Sequence, residues 1–324
     1  MDNKEIRIVY MGTPDFAVAP LQALVEGGYR VVGVITMPDK PMGRSGNTLQ
    51  SSPVKKYAES VGLPLLQPEK LKDPIFLEAL KAWEADLQVV VAFRMLPEVV
   101  WDMPPLGTFN LHASLLPQYR GAAPINWAVI NGEKESGVTT FFLTHGMDMG
   151  KIILQRSCPI AESDDAGVLH DALMSLGASL VTETVDRIAD QSIAPVAQSE
   201  MVTDTVALRP APKIFNDTCQ IDWSRPVDEI YNHIRGLAPY PAAWSHLEGK
   251  DGKQQVMKIY LTERHYETHD LPIGTLRLPR KNCLEVAVNG GFLRILSMQL
   301  AGKKRMDAAA FLNGFKEITE YRLV

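Results

Sequence analysis

The chain has 324 residues, 46% of them hydrophobic and 22% charged, with a formal net charge of −5. These values describe a globular protein with a large core, and the length favours two domains over one or three. No uncharged apolar run is long enough to span a membrane, and Cys158, Cys219 and Cys283 form no CxxC pair, which argues against zinc ribbons and a disulfide framework.

The first residues are charged and pass straight into a strand pattern, leaving no room for a signal peptide, so a cytoplasmic protein without a membrane partner is expected. Short apolar or β-branched runs at 6–11, 31–36, 87–92 and 108–112 alternate with helix-period segments at 17–26, 54–61, 74–83 and 125–130. Such alternation predicts βαβ units around a parallel sheet. Two more strands are expected at 138–143 and 152–158, paired across the loop between them. A long amphipathic helix follows, with Val168, Leu169, Ala172, Leu173, Leu176, Leu180, Val181 and Val185 on its apolar face and Ser163, Asp164 and Asp165 as candidate caps. From 190 to about 212 the periodicity fades into Gln, Ser, Thr, Pro and Ala. Beyond it a helix at 227–237 precedes alternating strands at 256–261, 284–288 and 292–299, with Asn289-Gly290-Gly291 as the turn between the last two and a short helix near 307–312. The pattern predicts an α/β domain with a mostly parallel sheet over 1–189, a linker over 190–209 and a small antiparallel β-barrel over 210–324. Charge is uneven: residues 1–205 carry 16 basic and 25 acidic side chains, residues 206–324 carry 17 and 13, so the second half is the part suited to a polyanion, although an ordinary surface would also fit.

Met11-Gly12-Thr13-Pro14-Asp15-Phe16 occupies the place of a nucleotide-binding glycine loop but has one glycine, and no acidic residue closes the second strand, so the dinucleotide fingerprint fails. Gly12 and Pro14 serve either a tight turn or a substrate contact. The stretch from Met37 to Thr48 reads as a long, weakly basic loop in which Lys40 and Arg44 are either phosphate contacts or solvated charges. Asn110 and His112 stand two apart on a strand, hence on one face, at the carboxyl end where open parallel sheets bind ligands. A lone strand histidine is more often structural, but the shared face suits two donors to a developing oxyanion. Asp148, bracketed by Gly146 and Gly150, is a turn residue if taken alone; beside His112 it would favour the imidazolium and take a proton.

With Met11 to Val18, Asn110, His112, Ser114 to Pro117, Arg120 to Pro124 and Asp148 in place, the sequence resembles the 10-formyltetrahydrofolate-dependent formyltransferases. The likeness covers nearly the whole chain, including Ile221-Asp222-Trp223-Ser224 and Ala301-Gly302-Lys303-Lys304-Arg305-Met306. Asn-x-His-x-Ser-Leu-Leu-Pro is specific to the superfamily and silent on the acceptor. The resemblance implies a Rossmann-like formyltransferase domain, an OB-like C-terminal domain that binds tRNA, and transfer of the formyl group of 10-formyltetrahydrofolate to the α-amino group of methionyl-initiator tRNA. A sugar-nucleotide amine is the alternative acceptor. It further implies that Asn110 and His112 hold the oxyanion, that Asp148 positions His112 and relays the proton, and that no metal takes part. Phe93, Arg94, Met95, Leu96, Ser114, Leu115, Leu116 and Pro117 would line the folate pocket, and Lys40 and Arg44 would touch tRNA. Two departures from the family pattern stand out: the 93–96 stretch carries Arg94 where an aromatic-Gly pair is frequent, which would reshape the pocket rim, and Ser45, Gly46 and Asn47 stand where many members have extra basic residues. A monomer is expected, since no apolar surface stripe is left once the helices are assigned.

Overall fold

The computed structural model describes residues 2–42, 48–202 and 207–324. In chain order the elements are β1 (Ile8–Gly12), α1 (Val18–Glu26), β2 (Val31–Ile35), β3 (Lys40–Met42), β4 (Thr48–Gln50), α2 (Pro53–Ser60), β5 (Leu65–Leu66), α3 (Pro74–Ala82), β6 (Leu87–Val91), α4 (Glu98–Trp101), β7 (Thr108–His112), α5 (Pro124–Ile130), β8 (Glu135–Phe142), β9 (Ile152–Pro159) and α6 (Ala166–Ala189). The second half adds α7 (Val227–Leu237), β10 (Ala243–Glu248), β11 (Gln254–His265), β12 (Leu276–Arg280), β13 (Cys283–Val288), β14 (Gly291–Leu300), β15 (Met306–Asp307), α8 (Ala308–Gly314) and β16 (Arg322–Leu323). Packing divides the chain into two compact units, one of Met1–Gly121, Ser136–Cys158 and His170–Pro210, the other of Ala122–Glu135, Pro159–Leu169 and Ala211–Val324. The units therefore interleave in sequence, where a single linker at 190–209 was expected to separate them.

In the first unit the sheet order is β5-β2-β1-β6-β7-β8-β9. Every pair up to β6–β7 is parallel, and β7–β8 is antiparallel. β1 and β6 are buried along their whole length, which explains their unbroken apolar runs. Caps fix where the flanking helices begin: Ser52 accepts from the Lys55 N–H at 3.0 Å ahead of Pro53, and Asp73 accepts from Ile75 at 2.9 Å ahead of Pro74. Val9, Met11 and Val90 face Phe76, Leu80, Leu96 and Val100 on one side of the sheet. Val90 is the register partner of Asn110, so Asn110 and His112 belong to this same side. The other side is covered by α6, where Gly177 leaves room for Leu111: a Cβ there would lie 2.7 Å from the leucine Cδ2. Thr140, paired with Leu111, bonds Thr184 of α6 at 2.9 Å.

Several boundaries depart from the sequence reading. The first strand begins at Ile8 and runs through Gly12, and a 3-10 turn at Asp15–Ala17 precedes α1. Part of the expected loop after β2 is a two-stranded ribbon in which Lys40 pairs with Gln50 and Pro41 with Leu49. On α6 the Asp165 carboxylate caps the Val168 N–H at 2.9 Å as expected, but Val168 itself is 52% exposed, and Ala172 also faces solvent. Among the described residues no helix is long and apolar enough to cross a membrane.

The second unit holds a curled antiparallel sheet of order β12-β13-β14-β11-β10-β16, wrapped on Val227, Ile230 and Ile234 of α7. The Asn289-Gly290 turn joins β13 to β14 with Val288 opposite Gly291. β10 and β12 escaped the sequence reading: Ser245 and His246 interrupt the apolar pattern of the first, and Pro279 and two arginines disguise the second as a loop. The two ends of the sheet meet through a bridge between Thr275 and Arg322, with Leu323 N–H donating to the Gly274 carbonyl at 2.9 Å. Gly274 has φ +83, and a Cβ there would lie 2.1 Å from the Leu323 oxygen. Gly62 has a similar φ of +72 with nothing within 4 Å. Gly62→Ala should therefore cost about 1–2 kcal/mol through backbone strain alone. Gly274→Ala should cost about 1–3 kcal/mol more, because the sheet must also open; urea midpoints of the two variants check the difference.

Candidate active site

The carboxyl end of β7 carries the first two expected residues. Asn110 is half-buried, and its Oδ1 is buried without a hydrogen-bond partner among the described residues. An orphaned buried acceptor costs about 1–3 kcal/mol, an expense a fold retains chiefly at working sites. A half-turn of the carboxamide offers the NH2 to the same space. Thr13, just past the end of β1 in the same sheet, likewise has its Oγ1 buried and unpartnered among the described residues. Gly12 before it packs a turn: a Cβ there would meet the Ala17 Cβ at 2.7 Å and the Val91 oxygen at 3.0 Å.

His112 is buried, and its Nε2 lies 2.9 Å from the Tyr119 carbonyl oxygen. A carbonyl only accepts, so Nε2 carries hydrogen and Nδ1 is the nitrogen left for other work. Tyr119 holds a left-handed φ of +59, and its own N–H donates to the Arg209 carbonyl at 2.7 Å. Two residues on, the Gly121 N–H donates to Asp148 Oδ2 at 3.1 Å. Asp148 is also left-handed, φ +51, a region aspartate tolerates better than most residues. Among the described residues no bond joins His112 to Asp148. The two are held by opposite ends of one three-residue loop, 119–121.

Behind His112 stands Thr139, its register partner on β8. Thr139 Oγ1 donates to the Ser114 carbonyl at 2.6 Å and accepts from Leu116 N–H at 3.2 Å and Gln155 Nε2 at 2.9 Å. Gln155 also donates to the Leu116 carbonyl at 2.7 Å, and Ser114 Oγ donates to the Gln118 carbonyl at 2.6 Å. Of the residues expected along this turn, Ser114 and Leu116 are buried and shape it from within, Leu116 packing on Phe141 and Ile152. Leu115 and Pro117 are partly exposed.

In the 93–96 segment Met95 is exposed, Phe93 partly so, and Leu96 is buried against the sheet. Arg94 folds back onto the chain, donating to the Glu69 carbonyl at 2.8 Å and to the Pro68 carbonyl, and burial pushes its guanidinium pKa down. It braces the 68–69 segment. Lys40 is exposed on β3, while Arg44 lies outside the described residues. The base of this ribbon is anchored by Lys55, 2.6 Å from Asp39, whose carboxyl that bond and Gln67 hold below the usual carboxylate range. Among the described residues no cluster of His, Cys, Asp or Glu has the arrangement of a metal site.

Residues 5–185 match the family model described as formyl transferase, and residues 213–316 match the formyl transferase C-terminal domain. The chain belongs to the formyl transferase family. It is 65% identical over 321 residues to the methionyl-tRNA formyltransferase of Parabacteroides distasonis, an alignment covering 99% of both chains. Among solved structures it resembles HypX from Aquifex aeolicus in complex with tetrahydrofolic acid, with a TM-score of 0.61, 16% identity, and coverage of 96% of this chain and 47% of that one. An N-formyltransferase from Helicobacter canadensis in complex with folinic acid and dTDP-3-aminofucose gives a TM-score of 0.63 at 19% identity, covering 93% and 100%. These two likenesses describe the fold.

The candidate site also contains residues that sequence reasoning passed over: Thr139 and Gln155, which fix the 114–118 turn, and Gln198, which reaches the 148–150 turn. Each acts on backbone carbonyls from a distant part of the chain, and such pairings leave no local pattern to read. The 145–150 turn depends on Gly150, where a Cβ would lie 1.6 Å from the Phe142 carbonyl oxygen, whereas at Gly146 it would meet only the Met149 side chain, at 2.9 Å. Gly150→Ala must displace the backbone two residues from Asp148 and should lower formyl-transfer turnover by about 100-fold. Gly146→Ala, which a Met rotamer accommodates, should stay within about threefold of the parent; parallel steady-state assays make the comparison.

Proposed function

We propose that the protein transfers the formyl group of 10-formyltetrahydrofolate to the α-amino group of methionyl-initiator tRNA, using Asn110, His112 and Asp148. The observation carrying the chemistry is the Asn110 Oδ1, buried and unpartnered among the described residues, on the same strand face as a His112 whose Nε2 is spent on Tyr119, at the carboxyl end of a parallel strand. The 65% identity to a methionyl-tRNA formyltransferase over 99% of its length supports the acceptor. The HypX complex with tetrahydrofolic acid supports a folate donor.

In this reading the amine attacks the formyl carbon, forming a C–N bond and a tetrahedral oxyanion. Asn110 donates to that oxygen through its NH2, a neutral donor at any pH. With Nε2 spent on Tyr119, His112 donates only from Nδ1 and therefore only as the imidazolium. Asp148, oriented by Gly121, accepts the proton shed by the attacking nitrogen. The adduct collapses by breaking the carbon–N10 bond, and the proton ends on N10 of tetrahydrofolate, so charge and atoms balance without a metal or redox step. The exposed faces of Phe93, Met95, Leu115 and Pro117 are the surfaces in the two donor-pocket segments open to a pterin. Lys40, Arg44 and the basic C-terminal region supply phosphate contacts that carry no base specificity.

Labelled formyl donor incubated with either charged initiator tRNA or a nucleotide-linked amino sugar should label the tRNA. Label on the sugar alone would overturn the acceptor. Asn110→Ala should lower kcat by about 10²–10³-fold, the cost of losing one oxyanion donor. Asp148→Asn should lower it by a comparable factor with tRNA affinity retained in filter binding, and normal turnover in that variant would remove Asp148 from the mechanism.

A further inference from the structure

Gln198 lies inside the stretch 190–209, which composition marks as a linker, yet it is only 3% exposed. Two residues earlier Val196 exchanges backbone hydrogen bonds with Ile152 at 2.8 and 2.9 Å, docking the segment alongside the start of β9. From there Gln198 Nε2 donates to the Asp148 carbonyl at 2.8 Å and to the Gly150 carbonyl at 2.9 Å. Its Oε1 accepts from Arg120 Nε at 2.9 Å and Nη2 at 2.6 Å. All four hydrogen-bonding positions of the carboxamide are therefore used. Arg120 in turn sits between Tyr119, whose carbonyl holds His112, and Gly121, whose N–H holds Asp148. A carboxylate at position 198 would set its oxygens against two carbonyl oxygens, and a thioether would leave both carbonyls and the guanidinium unpaired.

Asp148 needs such a hold, because its left-handed φ of +51 is a sparsely populated conformation that persists where surroundings over-determine it. We propose that Gln198, anchored by Arg120, is a positioning residue that fixes the Asp148 turn relative to the 119–121 loop, so that one clamp sets the carboxylate against the imidazole. This rests on the reading of Asp148 as the proton acceptor. Gln198 is buried and spends its whole carboxamide on protein groups, so the clamp should act on the rate of transfer and leave binding alone.

The test compares full-length Gln198→Met, Arg120→Met, Asp148→Asn and each clamp variant combined with Asp148→Asn, using 10-formyltetrahydrofolate and methionyl-initiator tRNA. Gln198→Met and Arg120→Met should each lower kcat by about 10- to 100-fold, the scale of a misplaced catalytic group, with KM for both substrates within about twofold. In the Asp148→Asn background neither should slow the enzyme further. Additive losses, or unchanged kcat in Arg120→Met, whose side chain is partly exposed and whose replacement leaves the core alone, would overturn the proposal. Full turnover in Asp148→Asn alone would instead overturn the reading of Asp148, and loss there with normal Gln198→Met would overturn only the clamp. Gln198→Glu should be no faster than Gln198→Met; recovery with glutamate would show that volume, not donation to the two carbonyls, is what matters, and would also overturn it.

Discussion

The site depends on three residues of backbone. Tyr119 presents its carbonyl to His112, Gly121 presents its N–H to Asp148, and the Arg120 side chain between them bonds the carboxamide that spans the Asp148 turn. Tyr119 and Gly121 both have positive φ, +59 and +127, so the chain reverses sharply enough to send two successive polar groups in different directions. Strain of this kind is held by the bonds around it, here the Tyr119 N–H to the Arg209 carbonyl on one side and the Thr139–Gln155 network under residues 114–118 on the other. A change anywhere in that frame alters the relation of imidazole to carboxylate before it alters either group.

The sheet explains why the frame stands where it does. β7 is the last parallel strand, and β8 turns back beside it, so Thr139 lies opposite His112 and its hydroxyl is placed to organise the loop that β7 feeds. On the opposite side Leu111 fills the notch at Gly177, fixing the depth at which β7 sits against α6. Burial of one set of side chains thereby sets the height of the other set, and a one-residue slip would exchange Leu111 for Asn110 and His112 in the core.

Much of this was legible from residue types alone. The period of two put Asn110 and His112 on one face, and the bracketing glycines marked Asp148 as a turn residue, which it is. What stayed hidden were pairings set by tertiary structure. Gln198 bonds carbonyls about fifty positions away, and a side chain that addresses backbone carries no complementary residue to find. Ser114 and Leu116 were expected at a pocket wall because the resemblance names the turn as a whole, but the alternation of that turn directs them inward. Arg94 was expected to alter a pocket rim; its carbonyl partners at 68 and 69 make it a brace. β12 was lost because Pro279 is a strand breaker everywhere except at an edge, and edge position is a property of the folded sheet.

Holding Asp148 on Gly121, away from His112, has a chemical consequence for the proposed transfer. A carboxylate bonded directly to Nδ1 would occupy the one imidazole nitrogen that Tyr119 leaves uncommitted, and the oxyanion would be left to Asn110 alone. The same bond would tie up a carboxylate oxygen needed for the amine proton. Holding the two at opposite ends of a three-residue loop leaves Nδ1 and the carboxylate each available to substrate in that reading. In the proposed transfer, the hold of Tyr119 on one group and of Gly121 on the other leaves each to serve its own end of the reaction.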